Sequence, residues 1–122
     1  MLGDQELMAF VATAKPAEAL VFYRDVLGLS LIYEDAFALV FKTPNATLRV
    51  QKTEHHQPLP YTALGWKVGD IAAAVARLVA HRVQPQRYPG LNQNDAGVWA
   101  SPSGAKIAWF KDPDGNVLSL TG

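Results

Sequence analysis

The chain has 122 residues, 49% of them apolar and 18% charged, which suits an ordinary globular domain and excludes a disordered or fibrous chain. Eleven basic residues balance eleven acidic ones, so nothing draws the chain to a polyanion and nucleic acid is not an expected partner. Cysteine is absent, which excludes disulfides, thiolate metal sites and cysteine nucleophiles. With no basic leader and no apolar run near the ~18 residues of a membrane helix, a cytoplasmic protein outside the membrane is expected.

Leu7 to Ala12 is a short apolar run that fits a buried strand. Lys15-Pro16 then opens a helix, since proline is tolerated in the first turn. Apolar residues at 19, 20, 23, 26 and 27 carry the helix to Leu27, and Gly28 supplies its left-handed cap. Strand-like runs follow at 30–34, 37–42 and 47–52, the last two joined by a turn at Pro44-Asn45. Thr53 to Pro60 has two histidines, two prolines and little apolar content, and reads as a linker.

The second half repeats this order. Ala63 to Val68 is a strand, and Asp70 caps a helix over 71–81. Val83 to Tyr88 reads as a strand, followed by a polar loop from Gly90 to Ala96. Val98–Ala100 and Ala105–Lys111 form a hairpin around Ser101-Pro102-Ser103-Gly104. Asp112-Pro113-Asp114-Gly115 is a strong turn signal before a closing strand at 117–121. Offset by about 55 residues, the two helices align, Leu20 with Val75 and Tyr23 with Leu78. The expected architecture is α+β: a single domain over 1–122, built of two βαβββ modules at 5–54 and 61–122.

Two stretches, Phe22-Tyr23-Arg24-Asp25-Val26-Leu27-Gly28-Leu29 and Asp112-Pro113-Asp114-Gly115-Asn116, resemble the first helix end and the last hairpin turn of the vicinal-oxygen-chelate superfamily. That superfamily groups glyoxalases, extradiol dioxygenases, fosfomycin-resistance enzymes and bleomycin-binding proteins. The resemblance implies curled mixed sheets with outer helices, an inner cavity, and a homodimer. Read architecturally, both motifs serve the fold whatever the function.

Metal-dependent members of that superfamily hold their ion with His, Glu or Gln from four strands. Carried over by spacing, those positions fall at Met8, within Leu48-Arg49-Val50-Gln51, at Ala63 and at Ser119. A soft thioether, an alanine and a neutral hydroxyl are poor donors for a hard or borderline divalent ion, so no metal and no other cofactor is expected. His55-His56 does not replace them, because adjacent residues of an extended chain point to opposite sides. His81 is explained by the helix end it occupies.

The same inner face still lines the cavity that the resemblance implies. Alternation places Met8 and Phe10 on it, then Ala63, Gly65 and Lys67, then Val117, Ser119 and Thr121. Arg49 joins in one register of the fourth strand and Val50 in the other. Arg49 and Lys67 suit a carboxylate or phosphate, or else are solvated rim charges. Trp99 and Trp109 lie in a hairpin and serve as core or as pocket lining, while Trp66 packs beneath a helix. The ligand-binding residues expected are therefore Met8, Phe10, Arg49, Gln51, Ala63, Gly65, Lys67, Trp99, Trp109 and Ser119, around an unidentified small molecule. The leading expectation is metal-independent binding. The alternatives are a lyase, isomerase or dioxygenase-like enzyme with no nucleophile–base pair in view, and an interaction subunit with a vestigial pocket.

Overall fold

Apolar alternation in the short runs decides which face of each strand is covered. The computed structural model describes residues 1–122, and the chain divides into two compact units, Met1–Gln57 and Pro58–Gly122. Each unit builds one four-stranded mixed sheet from four strands and a helix, and neither sheet closes on itself. This is the α+β architecture that the sequence implies.

The first unit runs β1 (Leu7–Thr13), α1 (Pro16–Leu20), a π-helical turn (Val21–Val26), β2 (Ser30–Glu34), β3 (Ala38–Lys42) and β4 (Ala46–Lys52). Its strand order is β1-β4-β3-β2, with β1 and β4 parallel and the other pairs antiparallel. Thr13 Oγ1 accepts the Lys15 N–H at 3.0 Å, and Pro16 begins the helix, where a missing N–H costs nothing. The helix widens after five residues, with Leu27 N–H donating to Phe22 O at 2.9 Å. Two consecutive rings, Phe22 and Tyr23, are thereby both buried, meeting edge-on at 5.1 Å. Tyr23 packs on Phe41 at 5.9 Å over Leu39, Leu48 and Val50. Each of these large apolar side chains contributes roughly 1.5–3 kcal/mol by leaving water. Gly28, at φ +76°, ends the helix as expected.

The second unit runs β5 (Thr62–Lys67), α2 (Ile71–Ala80), β6 (Trp99–Ala100), β7 (Lys106–Lys111) and β8 (Val117–Thr121), in strand order β5-β8-β7-β6 with β5 and β8 parallel. Asp70 caps α2 by accepting the Ala73 N–H at 3.0 Å. Ile71, Val75 and Leu78 are the buried face of α2. Ala108, Phe110, Leu118 and Leu120 are buried on the sheet, where Trp66 stacks on Phe110 at 6.4 Å. His81 ends α2 with Nδ1 at 2.9 Å from Arg77 O. Buried Asp112 organises the β7–β8 turn: Oδ1 accepts the Asp114 and Asn116 N–H groups at 2.9 Å each, and Oδ2 accepts Asn116 Nδ2 at 2.8 Å.

One expected strand is absent. Val83 to Tyr88 forms no ladder and makes a single sheet-like bond, Gln86 N–H to Trp109 O at 2.8 Å. Pro85 has no N–H to give, and the neighbouring backbone groups bond to a side chain instead, that of Gln93. No helix is long and apolar enough to cross a membrane.

Candidate functional site

In each unit the helix covers one face of the sheet and leaves the register to define the other. On the first sheet that other face carries Met8, Phe10, Thr47, Arg49, Gln51 and Val40. Phe10 stands opposite Arg49, while Val50 lies buried on the helix side. The open register of the fourth strand is thus resolved, with Arg49 and Gln51 beside Met8 and Phe10. Met8 is 50% exposed and Phe10 56% exposed. Arg49 Nη1 donates to Tyr33 Oη at 3.4 Å across the same face. The edges of this sheet are tied by ion pairs, Lys42 with Glu6 and Lys52 with Glu34, the latter at 2.6 Å.

The second sheet presents a more organised surface. Gly65, Ser119 and Trp109 stand opposite one another across β5, β8 and β7, and Lys67, Thr121, Ile107 and Trp99 form the next row. The rings of Trp99 and Trp109 lie 6.2 Å apart at 30°. Tyr88 meets Trp109 edge-on at 5.3 Å and 88°. The three aromatics make a wall, and Gly65 and Ser119 a low floor beside it. The floor is tight: a Cβ on Gly65 would stand 2.8 Å from Ser119 Oγ, so only glycine leaves that hydroxyl its place. Burial pushes the Tyr88 phenol above its usual range, so it remains a neutral hydrogen-bonding group.

Tyr88 reaches the wall because its loop is pinned. Gln93 Oε1 accepts the Tyr88 N–H at 2.8 Å, and its Nε2 donates to Gln86 O at 2.9 Å and Gly97 O at 2.7 Å. Asn94 Oδ1 accepts the Ala96 and Val98 N–H groups. Arg87 Nη2 donates to Asn94 O and Asp95 O. A separate cleft of about 570 Å³ lies between α2 and this loop, lined by Val75, Ala76, Val79 and Pro85 among others.

Of the ten residues expected from the sequence, the register brings Met8, Phe10, Arg49 and Gln51 together on one sheet and Gly65, Lys67, Trp99, Trp109 and Ser119 on the other. Ala63 does not join them. Pairing passes from Thr62–Val117 to Leu64–Leu118, so Ala63 is the extra residue of a bulge. Sequence reasoning placed Tyr88 at the end of a strand, outside the expected pocket lining, and did not single out Lys111, which shares the face of Trp109. For Lys111 the signal was present, because residues two apart on a strand share a face.

The donor set does not fit a divalent ion. Met8 offers a thioether, Arg49 a cation, Ala63 nothing and Ser119 a neutral hydroxyl, with Gln51 the one amide donor. No three His, Asp or Glu side chains converge anywhere in the chain.

Two sheets of βαβββ construction define a paired-module fold. The family model for the Glyoxalase/Bleomycin resistance protein/Dioxygenase superfamily matches residues 7–120, and the chain belongs to that superfamily. Its fold is similar to that of a superfamily member from Sphaerobacter thermophilus DSM 20745, with a TM-score of 0.77, 20% identity, and 99% of this chain and 98% of that one covered. It is similar to a lactoylglutathione lyase from Agrobacterium tumefaciens, with a TM-score of 0.74, 17% identity, and 97% and 92% covered. It is also similar to a bleomycin resistance determinant encoded on the transposon Tn5, with a TM-score of 0.72, 17% identity, and 96% of each chain covered. At these identities the likeness establishes the fold and not a shared activity. No curated protein matches the sequence closely enough to count as a relative.

Proposed function

We propose that the protein binds a small organic molecule without the help of a metal, on the open face of the second sheet. One observation carries this reading: the aromatic wall of Tyr88, Trp109 and Trp99 stands beside a floor kept low by Gly65 and Ser119. Aromatic walls beside small residues suit a flat apolar ligand, and a few polar groups orient it. Ser119 Oγ, Thr121 Oγ1 and the Lys67 and Lys111 ammonium groups are polar groups on that face. The exposed face of the first sheet, with Phe10 beside Arg49, is a second surface of the same character. A cytoplasmic homodimer is part of the same proposal, and its mass by light scattering would be twice that of the chain.

Calorimetric titration with flat aromatic and organic-acid compounds tests the reading. Binding is expected to survive exhaustive chelation and to be lost in Trp109→Ala. Stoichiometric zinc, nickel, iron or manganese in the purified protein, or binding that chelation abolishes, would overturn it.

A further inference from the structure

The charge on the open face of the second sheet is one-sided. Residues 58–122 hold six basic side chains (Lys67, Arg77, Arg82, Arg87, Lys106, Lys111) and four acidic ones (Asp70, Asp95, Asp112, Asp114). None of the four acids stands on the face of Trp109. Asp70 is spent on the α2 cap, and Asp95 lines the cleft beside α2. Asp112 is buried in its own turn, where Asp114 also lies. Two of the six cations do stand on that face. Lys111 follows Trp109 by two residues on β7, and Lys67 lies in the row next to Gly65 on β5. Neither ammonium is paired with a carboxylate.

The spacing matters as much as the sign. Neighbouring strands lie about 4.8 Å apart, so β5 and β7, separated by β8, stand about 10 Å apart. Lys111 is about 7 Å along the strand from Trp109. A fused two-ring system on the Trp109 wall thus has an ammonium within reach on two sides, and none of the second unit's four carboxylates shares that face. Lysine presents a compact, flexible point charge, which suits an anion whose exact placement varies.

We propose that the ligand of this face is a planar aromatic anion, an aromatic carboxylate, stacked on Trp109 with its charge held by Lys67 and Lys111. This rests on the proposed small-molecule site and adds the charge of the ligand to it. The opposite sign is disfavoured on the same grounds, because a cationic aromatic would gain from the tryptophan faces but meet two unneutralised ammonium groups.

Three probes with the same ring test it: naphthalene-2-carboxylate, naphthalene-2-carboxamide and 2-naphthylmethylammonium, titrated calorimetrically into the full chain at neutral pH and low salt. The carboxylate is expected to bind about five- to tenfold more tightly than the carboxamide, with the ammonium weakest, and that margin is expected to shrink with added salt. Lys67→Met and Lys111→Met should each narrow the carboxylate-over-carboxamide margin severalfold, with near-ultraviolet circular dichroism confirming the fold. Trp109→Ala should weaken all three probes. Equal binding of carboxylate and carboxamide would overturn the charge assignment and leave the binding site standing. Binding of none of the three would overturn both, and carboxylate binding that persists in Trp109→Ala would remove it from this face.

Discussion

Replacing Gly65 by alanine tests the geometry of the floor directly, because its effect should change sign with the residue opposite. A Cβ at position 65 falls 2.8 Å from Ser119 Oγ, where ordinary contact begins near 3.4 Å, so about 0.6 Å must be found. Overpacking of this kind costs ~1–3 kcal/mol. Alanine also relieves the conformational freedom of a strand glycine, a gain of ~0.5–1 kcal/mol. The net expectation for Gly65→Ala is a loss of up to ~2.5 kcal/mol. Ser119→Ala removes the opposing oxygen, leaving only the favourable backbone effect, so adding Gly65→Ala to Ser119→Ala should stabilise by ~0.5–1 kcal/mol. The coupling in the double-mutant cycle is then ~1–3 kcal/mol. Urea unfolding followed by tryptophan fluorescence measures all four proteins, with slopes compared so that midpoints translate into free energies. Additivity within ~0.5 kcal/mol would show that the two positions do not press on each other and would refute the argument.

Gln93→Ala should cost ~2–3 kcal/mol, because it leaves Tyr88 N–H, Gln86 O and Gly97 O without their partner, and it should speed exchange of the Tyr88 amide; unchanged exchange would mean that the loop holds itself. Asp112→Ala removes three hydrogen bonds from a buried carboxylate and should destabilise by ~2–4 kcal/mol, with Asp112→Asn milder; a smaller loss than ~1 kcal/mol would show that Gly115 and Pro113 shape the turn unaided. The Phe37 and Ala38 N–H groups, at 2.8 and 2.9 Å, hold the Asp35 carboxyl below its usual range. Its stabilising effect is therefore present above the unfolded value of about 3.9 and is lost as pH falls through the lower folded value. Asp35→Asn should be less stable than the parent at neutral pH, with the gap closing below about pH 4; a gap constant from pH 2.5 to 7 would contradict this.

The order of elements was readable because its punctuation is chemical. Pro16 opens one helix, Gly28 closes it, Asp70 caps the other, and Asp112 with Gly115 makes the last turn. The widening of the first helix was not readable, since Phe22 and Tyr23 fit an α-helical or a π-helical face equally well until the sheet beneath them is known. The segment 83–88 has strand-like alternation, but Pro85 breaks the donor series, and its groups found a partner seven residues ahead in Gln93. On the site, the alternation of Leu48 and Val50 against Thr47, Arg49 and Gln51 contained the register. The approach of Tyr88 to Trp109 depends on the folding of a loop by its own amides, which no local pattern encodes.

The parallel pairing of first and last strands in each unit also orders events in time. β4 lies in the middle of its sheet and is complete by residue 52, whereas β8 lies in the middle of the other and is not made until residues 117–121. On a ribosome adding about 5–20 residues per second, β5 waits roughly 3–10 s for the strand that must lie beside it. During that interval the first sheet can form beyond the exit tunnel while Leu64 and Trp66 wait for the strand that pairs beside them. A fragment ending at residue 111 would therefore leave Leu64, Trp66, Ala108 and Phe110 without the central strand of their sheet, and adding back the peptide 112–122 would cover them in a single step.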